Sequence, residues 1–308
     1  MMDSAPLPRP GAAGGDLATP FPPLGRRLCE VIENRASGGY RVFSLRDERG
    51  PAPEAGQFYM LAAERRWGER GGRPFLPRAL SVADAKPGPS GVRLDFLIEG
   101  VGPGTARLCS LEVGEAVWVN GPLGNSFSEP RDLAPGAAGA ILVGGGIGIA
   151  PLALLRRRLS SRGVPTQILL GFRDRQHSGG LDDLFSNCQL GLASDDGHLG
   201  ERAYVTELLA AMLEGDDAAS AAVYSCGPPA MLEAVRAMCA ARGVACELAL
   251  ESPMACGFGA CFGCSVPLAV GGYMRLCVDG PVVNGQRLAA VGQPPALDAE
   301  ASARGSRV

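Results

Sequence analysis

The chain has 308 residues, 46% of them hydrophobic and 20% charged, enough apolar material for about two domains with cores of their own. Its 29 basic and 32 acidic residues leave a net charge of −3 with no long run of either sign, which argues against nucleic acid or a membrane as partner. Ten cysteines, with no basic-then-apolar leader at the start, point to the cytoplasm, a reducing compartment where clustered thiols serve metals more often than disulfides.

Residues 1–25 are rich in Pro, Ala and Gly and read as a flexible extension. From residue 26 to 134 the pattern is short and strand-like. In "VRLDFLIEG" the side chains of Val92, Leu94, Phe96 and Ile98 share one face at period two, and Gly and Pro punctuate the runs as in a small antiparallel barrel. Within it, "RALS" supplies Arg78 and Ser81, and "GVGPGTARL" supplies glycines followed by Thr105 at a helix start. A cation and a helix N-terminus can bracket a pyrophosphate. Taken singly, Arg78 reads as a surface charge and Thr105 as a helix cap.

Residues 135–250 alternate apolar strands with helices, the signature of a parallel sheet wrapped by helices. Leu133 to Leu155 carries no charge and is long enough to cross a bilayer, but its six glycines and two prolines fit a buried strand, a glycine turn and a helix. Helices are expected from Ile149 to Gly163, near Leu181, from Val205 to Glu214 and from Pro229 to Gly243. "VGGGIGIAPL" follows a strand and opens a helix, so a phosphate-bearing ligand could approach its backbone N–H groups, although a tight turn would use the same glycines for packing. After the second strand "GFRDR" offers Arg173, Asp174 and Arg175, so a ribose hydroxyl and a 2′-phosphate are both conceivable partners. Asp195 and Asp196 in "SDDGHLG" are most simply turn residues.

Residues 251–290 hold the densest chemistry, and 291–308 read as a polar tail. Cys256, Cys261, Cys264 and Cys277 are spaced C-x4-C-x2-C-x12-C, the arrangement of plant-type [2Fe-2S] ferredoxins. Glycines 257, 259 and 263 allow a tight loop that turns N–H groups toward the sulfurs. Structural zinc is the alternative, but it usually takes two C-x2-C knuckles and only one is present. Cys29, Cys109, Cys188, Cys239 and Cys246 stand singly in apolar or helical surroundings and read as small buried hydrophobes. His177 and His198 lie in polar loops away from any nucleophile motif, so hydrolytic catalysis has no apparatus.

In order and spacing, R-x-x-S, G-x-G-T, "GPLGNSF", "GGGIGIAPL", "SDDGHLG", "YSCGPPAML" and "ESPMACGFGACFGC" resemble the electron-transfer subunits of NAD-linked dihydroorotate dehydrogenase, within the ferredoxin reductase superfamily. The resemblance covers residues 26 to about 290 and implies an FAD-binding barrel, an NAD-binding parallel α/β domain and a C-terminal [2Fe-2S] segment. It implies that Arg78, Ala79, Leu80 and Ser81 contact FAD, with Gly104 and Thr105 near its phosphates. It places Gly145, Gly146 and Gly148 along the nicotinamide nucleotide, Cys226 and Gly227 near the nicotinamide, and the cluster on Cys256, Cys261, Cys264 and Cys277. Ala79 stands where the family often has Pro, and "GFRDRQH" matches no single nucleotide preference.

The implied activity is that of an oxidoreductase subunit in pyrimidine biosynthesis. Electrons from an FMN-containing dihydroorotate dehydrogenase catalytic subunit would pass through [2Fe-2S] and FAD to NAD+, in a heterotetramer. A flavin suits the middle position because it exchanges both hydrides and single electrons. Rival readings are a related reductase subunit serving a hydrogenase or a ferredoxin:NADP oxidoreductase, and a redox-sensing module without turnover.

Overall fold

The computed structural model describes residues 25–68, 74–199, 202–215 and 220–289. The strands β1 (Arg27–Ser37), β2 (Tyr40–Asp47), β3 (Phe58–Ala63), β4 (Arg78–Gly88), β5 (Gly91–Glu99) and β6 (Ala116–Leu123) close an antiparallel barrel in the order β1–β2–β5–β4–β3–β6. The expected inward face of β5 is buried at Val92, Leu94, Phe96 and Ile98. Leu97 is buried too, because Gly180 of the second domain packs against it from outside. Helix α1 (Pro103–Cys109) crosses between β5 and β6. It begins two residues before Thr105, whose Oγ1 accepts the Gly102 N–H at 3.2 Å and so stitches the helix start from its third position.

One ion pair anchors the barrel. Arg27 Nε donates to both oxygens of Asp47 at 2.8 Å, with side-chain exposures of 11% and 1%. Asp47 also accepts the Gly50 N–H at 2.8 Å. Burial pushes the Asp47 carboxyl up, but the Arg27 guanidinium and the Gly50 N–H outweigh it and hold the pKa below the ordinary range.

After the short helix α2 (Pro130–Leu133) the chain runs β7 (Gly139–Gly145), α3 (Ile149–Ser161), β8 (Thr166–Phe172), α4 (Leu181–Phe185), β9 (Gly191–Ser194), α5 (Val205–Met212), β10 (Ala221–Cys226), α6 (Pro229–Arg242) and β11 (Cys246–Ala249). β7 to β11 are parallel. The last segment forms β12 (Ser265–Pro267), β13 (Tyr273–Arg275), α7 (Leu276–Asp279) and β14 (Val282–Asn284). β14 pairs antiparallel with β11, giving the sheet order β14–β11–β10–β7–β8–β9. The cysteine segment therefore leaves the sheet at β11 and returns to the same strand.

Helix α3 explains the uncharged stretch. Every residue from Ile149 to Leu155 is buried, because the helix lies between the sheet and barrel strand β4, where Arg157 reaches the Ala85 carbonyl. A helix covered on opposite sides needs apolar residues nearly all round. No helix among the described residues is long and apolar enough to cross a membrane.

Removing one member of a buried ion pair strands the other charge. Asp47→Asn should lower stability by about 3 kcal/mol at pH 7. Because the native pKa is depressed, the stabilisation by Asp47 is present above its unfolded pKa of about 4 and is lost as pH falls through the folded value. Urea melts of both proteins across pH 3–7 should show the gap closing toward acid; a constant gap would contradict this account.

Candidate functional site

The glycine turn after β7 lies at the carboxyl end of a central strand, where parallel sheets open toward ligands. It floors a cleft of about 620 Å³ lined by Gly145, Gly146, Gly148 and Gly227, with Met231, Asp195 and Tyr204 on its walls. Gly148 is required by packing: a Cβ there would stand 2.5 Å from the Cys226 carbonyl oxygen and 2.6 Å from Gly227 N. The Cys226 thiol is buried in the sheet, and burial raises its pKa well above the ordinary value. Its carbonyl backs the turn, while Gly227 lines the cleft.

A second cavity, of about 310 Å³, runs between the barrel and the sheet domain. Ala79, Leu80, Ser81 and Thr105 line it, with Phe58 and Met254. Arg78 lies beside it. Its guanidinium rests against Gly104 at the start of α1, donates to the Leu76 carbonyl at 2.6 Å, and lies over the Trp67 ring at 5.8 Å. The cation thus joins the helix N-terminus of Gly104 and Thr105, as pyrophosphate binding requires.

The two cavities meet. Glu99, Ile147, Gly148 and Glu251 line both. Glu251 lies two residues beyond β11, and desolvation by the surrounding protein raises its pKa. The sequence alone did not single it out, since a glutamate after a strand carries no local signal.

The cysteine segment brings its sulfurs near one another: Cys256 interacts with Cys261, Cys264 with Cys277, and Cys277 also with Cys256. Gly259 N–H donates to Cys277 Sγ at 3.1 Å, and Arg275 Nη1 holds the Gly259 carbonyl at 3.1 Å. Gly259 has φ +87°, a value that turns its N–H inward and suits glycine. Burial would raise the Cys256 thiol, but the N–H groups of Phe258, Cys261 and Ala260, with the Cys261 thiol, bring it down to about 6. Burial and the Cys264 sulfur push Cys277 up to about 12. Among the described residues no three His, Cys, Asp or Glu side chains form a group for a single metal ion. Four thiols with this spacing suit a two-iron centre, which takes four cysteine ligands, whereas structural zinc usually takes two C-x2-C knuckles and one is present.

The acidic residues that looked interchangeable differ in place. Asp174 Oδ1 bonds His177 Nδ1 at 2.7 Å, and Asp196 Oδ1 bonds His198 Nδ1 at 2.7 Å. His177 also takes Arg173 Nη2 at 2.7 Å. Asp195 instead lines the large cleft near Tyr204. The D-x-x-H and D-x-H spacings were the readable sign that two of these carboxylates are already engaged.

Residues 251–289 match the family profile described as the iron-sulfur cluster binding domain of dihydroorotate dehydrogenase B. The chain is 38% identical over 214 residues to the electron transfer subunit of dihydroorotate dehydrogenase B (NAD(+)) from Bacillus caldolyticus, spanning 68% of this chain and 78% of the relative. The protein of the same name from Geobacillus thermodenitrificans is 37% identical over 266 residues, 84% of this chain and 96% of the relative. Among solved structures, an NADH-dependent reduced ferredoxin-NADP oxidoreductase chain aligns with TM-score 0.70 at 25% identity, covering 86% of this chain and 90% of that one. Phthalate dioxygenase reductase shares the fold, with TM-score 0.57 at 19% identity over 82% of this chain and 94% of that one.

The packing at Gly148 is directly testable. Gly148→Ala forces a Cβ against the backbone of Cys226 and Gly227, so the protein should lose about 1–3 kcal/mol of stability, as overpacked interiors do. A urea midpoint unchanged from the parent would show that the turn can relax.

Proposed function

The chain belongs to the family of electron transfer subunits of dihydroorotate dehydrogenase B, and from that premise we propose how its residues divide the work. FAD occupies the cavity along β4: Leu80 and Ser81 face its ring, Ala79 packs beside them, and Arg78 with Gly104 and Thr105 takes its phosphates. NAD(H) lies along Gly145, Gly146 and Gly148, with Gly227 and the carbonyl of Cys226 closing its nicotinamide end. Cys256, Cys261, Cys264 and Cys277 hold a [2Fe-2S] cluster. The domain limits that follow are 26–134 for FAD, 135–250 for NAD and 251–290 for the cluster.

The observation that carries this reading is the meeting of the two cavities at Ile147, Gly148 and Glu251, with Glu251 only five positions before Cys256. The cofactors, when bound, supply the conversion between two-electron hydride transfer and one-electron traffic. The protein's own groups set the arrangement. N–H groups at the start of α3 receive the dinucleotide pyrophosphate. Asp195 offers a carboxylate to a ribose hydroxyl, and Arg173, which lines the same cleft, offers a cation to a 2′-phosphate. Glu251 stands beside both cavities, its carboxyl pushed up from the ordinary range by desolvation. Three backbone N–H groups favour the thiolate at Cys256, the form that binds metal.

On this reading dihydroorotate is oxidised on the FMN of a separate catalytic subunit, in a cytoplasmic heterotetramer. Cys261→Ser should then strip or distort the cluster, whereas Cys239→Ser, at a buried thiol of α6, should leave it intact. Iron and acid-labile sulfide analysis of anaerobic protein reads this; zinc without sulfide would overturn the assignment. Arg78→Ala should lose a charge-assisted contact of about 1.5–3 kcal/mol, roughly ten- to more than a hundredfold in FAD affinity. Full flavin retention at unchanged affinity would remove Arg78 from the site.

A further inference from the structure

Of the five tyrosines, three are buried to 3% exposure or less: Tyr40, Tyr59 and Tyr224. Tyr224 donates to the Ser128 carbonyl at 3.1 Å, and the Tyr59 hydroxyl is sealed inside the barrel with no surface of its own. Tyr40 differs from both. Among the described residues nothing hydrogen-bonds its hydroxyl, yet that oxygen is not sealed, and the side chain lines the large cleft. A buried tyrosine hydroxyl usually has a partner, so an open, unbonded one on a cavity wall marks a place for a ligand atom.

Tyr40 opens β2 and so belongs to the barrel, whereas the turn it overlooks belongs to the sheet domain. A Cβ on Gly146 would stand 3.5 Å from the Tyr40 hydroxyl. That turn leads into α3, whose start offers N–H groups and the positive end of the helix dipole. The side chain is held in this place. Its ring meets the His177 ring edge-on with centroids 6.0 Å apart, and His177 is fixed in turn by Asp174 Oδ1 at 2.7 Å, with Glu99 Oε1 at 3.5 Å. Burial, with the Glu99 carboxylate, raises the Tyr40 pKa, so the phenol keeps its proton and is available as a donor. Donors from two domains therefore face one volume. Within a dinucleotide the pyrophosphate is the part that only accepts hydrogen bonds.

We propose that Tyr40 is a binding residue for the dinucleotide, donating its hydroxyl proton in a hydrogen bond to a pyrophosphate oxygen seated on the Gly146 turn. The proposal rests on the family reading and adds to it a contact from the barrel. Bound NAD(H) then touches both domains, so its affinity depends on how the barrel packs against the sheet as well as on the glycines. His177 serves as a positioning residue, because it fixes the Tyr40 ring without reaching the phosphate itself.

The test compares the full, cofactor-loaded chain with Tyr40→Phe, which deletes one oxygen and keeps the ring against His177. Calorimetric titration uses NAD+ and ADP-ribose, the second of which has the pyrophosphate but no nicotinamide. Both dissociation constants should rise by the same factor, about tenfold or more, as for a lost hydrogen bond to a charged group. In NADH:ferricyanide turnover KM should rise while kcat, FAD content and iron content stay at the parent level. Unchanged affinity for both ligands would overturn the proposal. So would a loss confined to NAD+, which would give the hydroxyl to the nicotinamide, and so would loss of FAD in step with loss of nucleotide, which would make Tyr40 a structural residue. If the unaltered chain, fully loaded, bound neither ligand, the family reading itself would fail, a result distinct from any effect of the substitution.

Discussion

The structure depends on one close backbone approach: Gly148, at the turn between β7 and α3, lies directly against the carbonyl of Cys226 at the end of β10. Neighbouring parallel strands end at the same level there, and only a residue without a side chain lets the turn descend between them. That descent places Ile147 and Gly148 in both major cavities and starts α3 beneath the larger of the two. A wider turn would separate the two cavities and break the shared boundary at which a hydride could pass.

The same turn delivers α3 into the domain interface. Because that helix is apolar on both sides, barrel and sheet are packed through it rather than linked by a hinge. A second contact sits at the β1–β2 turn, where Gly39 N–H donates to the Gln176 carbonyl at 2.7 Å and Ser37 Oγ accepts the Gly180 N–H at 2.9 Å. Arg35 and Asp183 add a half-exposed ion pair worth little on its own. The cysteine loop is held at both ends by β11, directly and through β14, so its position relative to Glu251 is set by the sheet. For a chain that passes electrons between three sites, fixed spacing is the functional property, and packing supplies it.

Much of this was legible in the sequence because each site depends on a local rule. The period-two pattern of Val92 to Ile98 gave a barrel strand, and the uncharged run around Gly144 to Gly148 gave strand, turn and helix. The three spacings among the four cysteines point to a ligand set from local sequence alone. What stayed hidden was relational. Nothing near Glu251 in sequence announces that it borders both cavities, and nothing near Asp195 announces that it lines the larger one. Leu97 is buried because a distant glycine covers it, and β14 joins the sheet from within the cysteine segment.

The central claim is that this chain is one half of an electron-transfer enzyme. The direct measurement is anaerobic reconstitution of the cofactor-loaded chain with the dihydroorotate dehydrogenase catalytic subunit of the same organism, following NAD+ reduction on addition of dihydroorotate. The account predicts coupled NADH formation that neither protein supports alone, and its loss in Cys261→Ser while NADH still reduces the bound FAD. Full cofactor loading with no complex and no coupled reduction would contradict it.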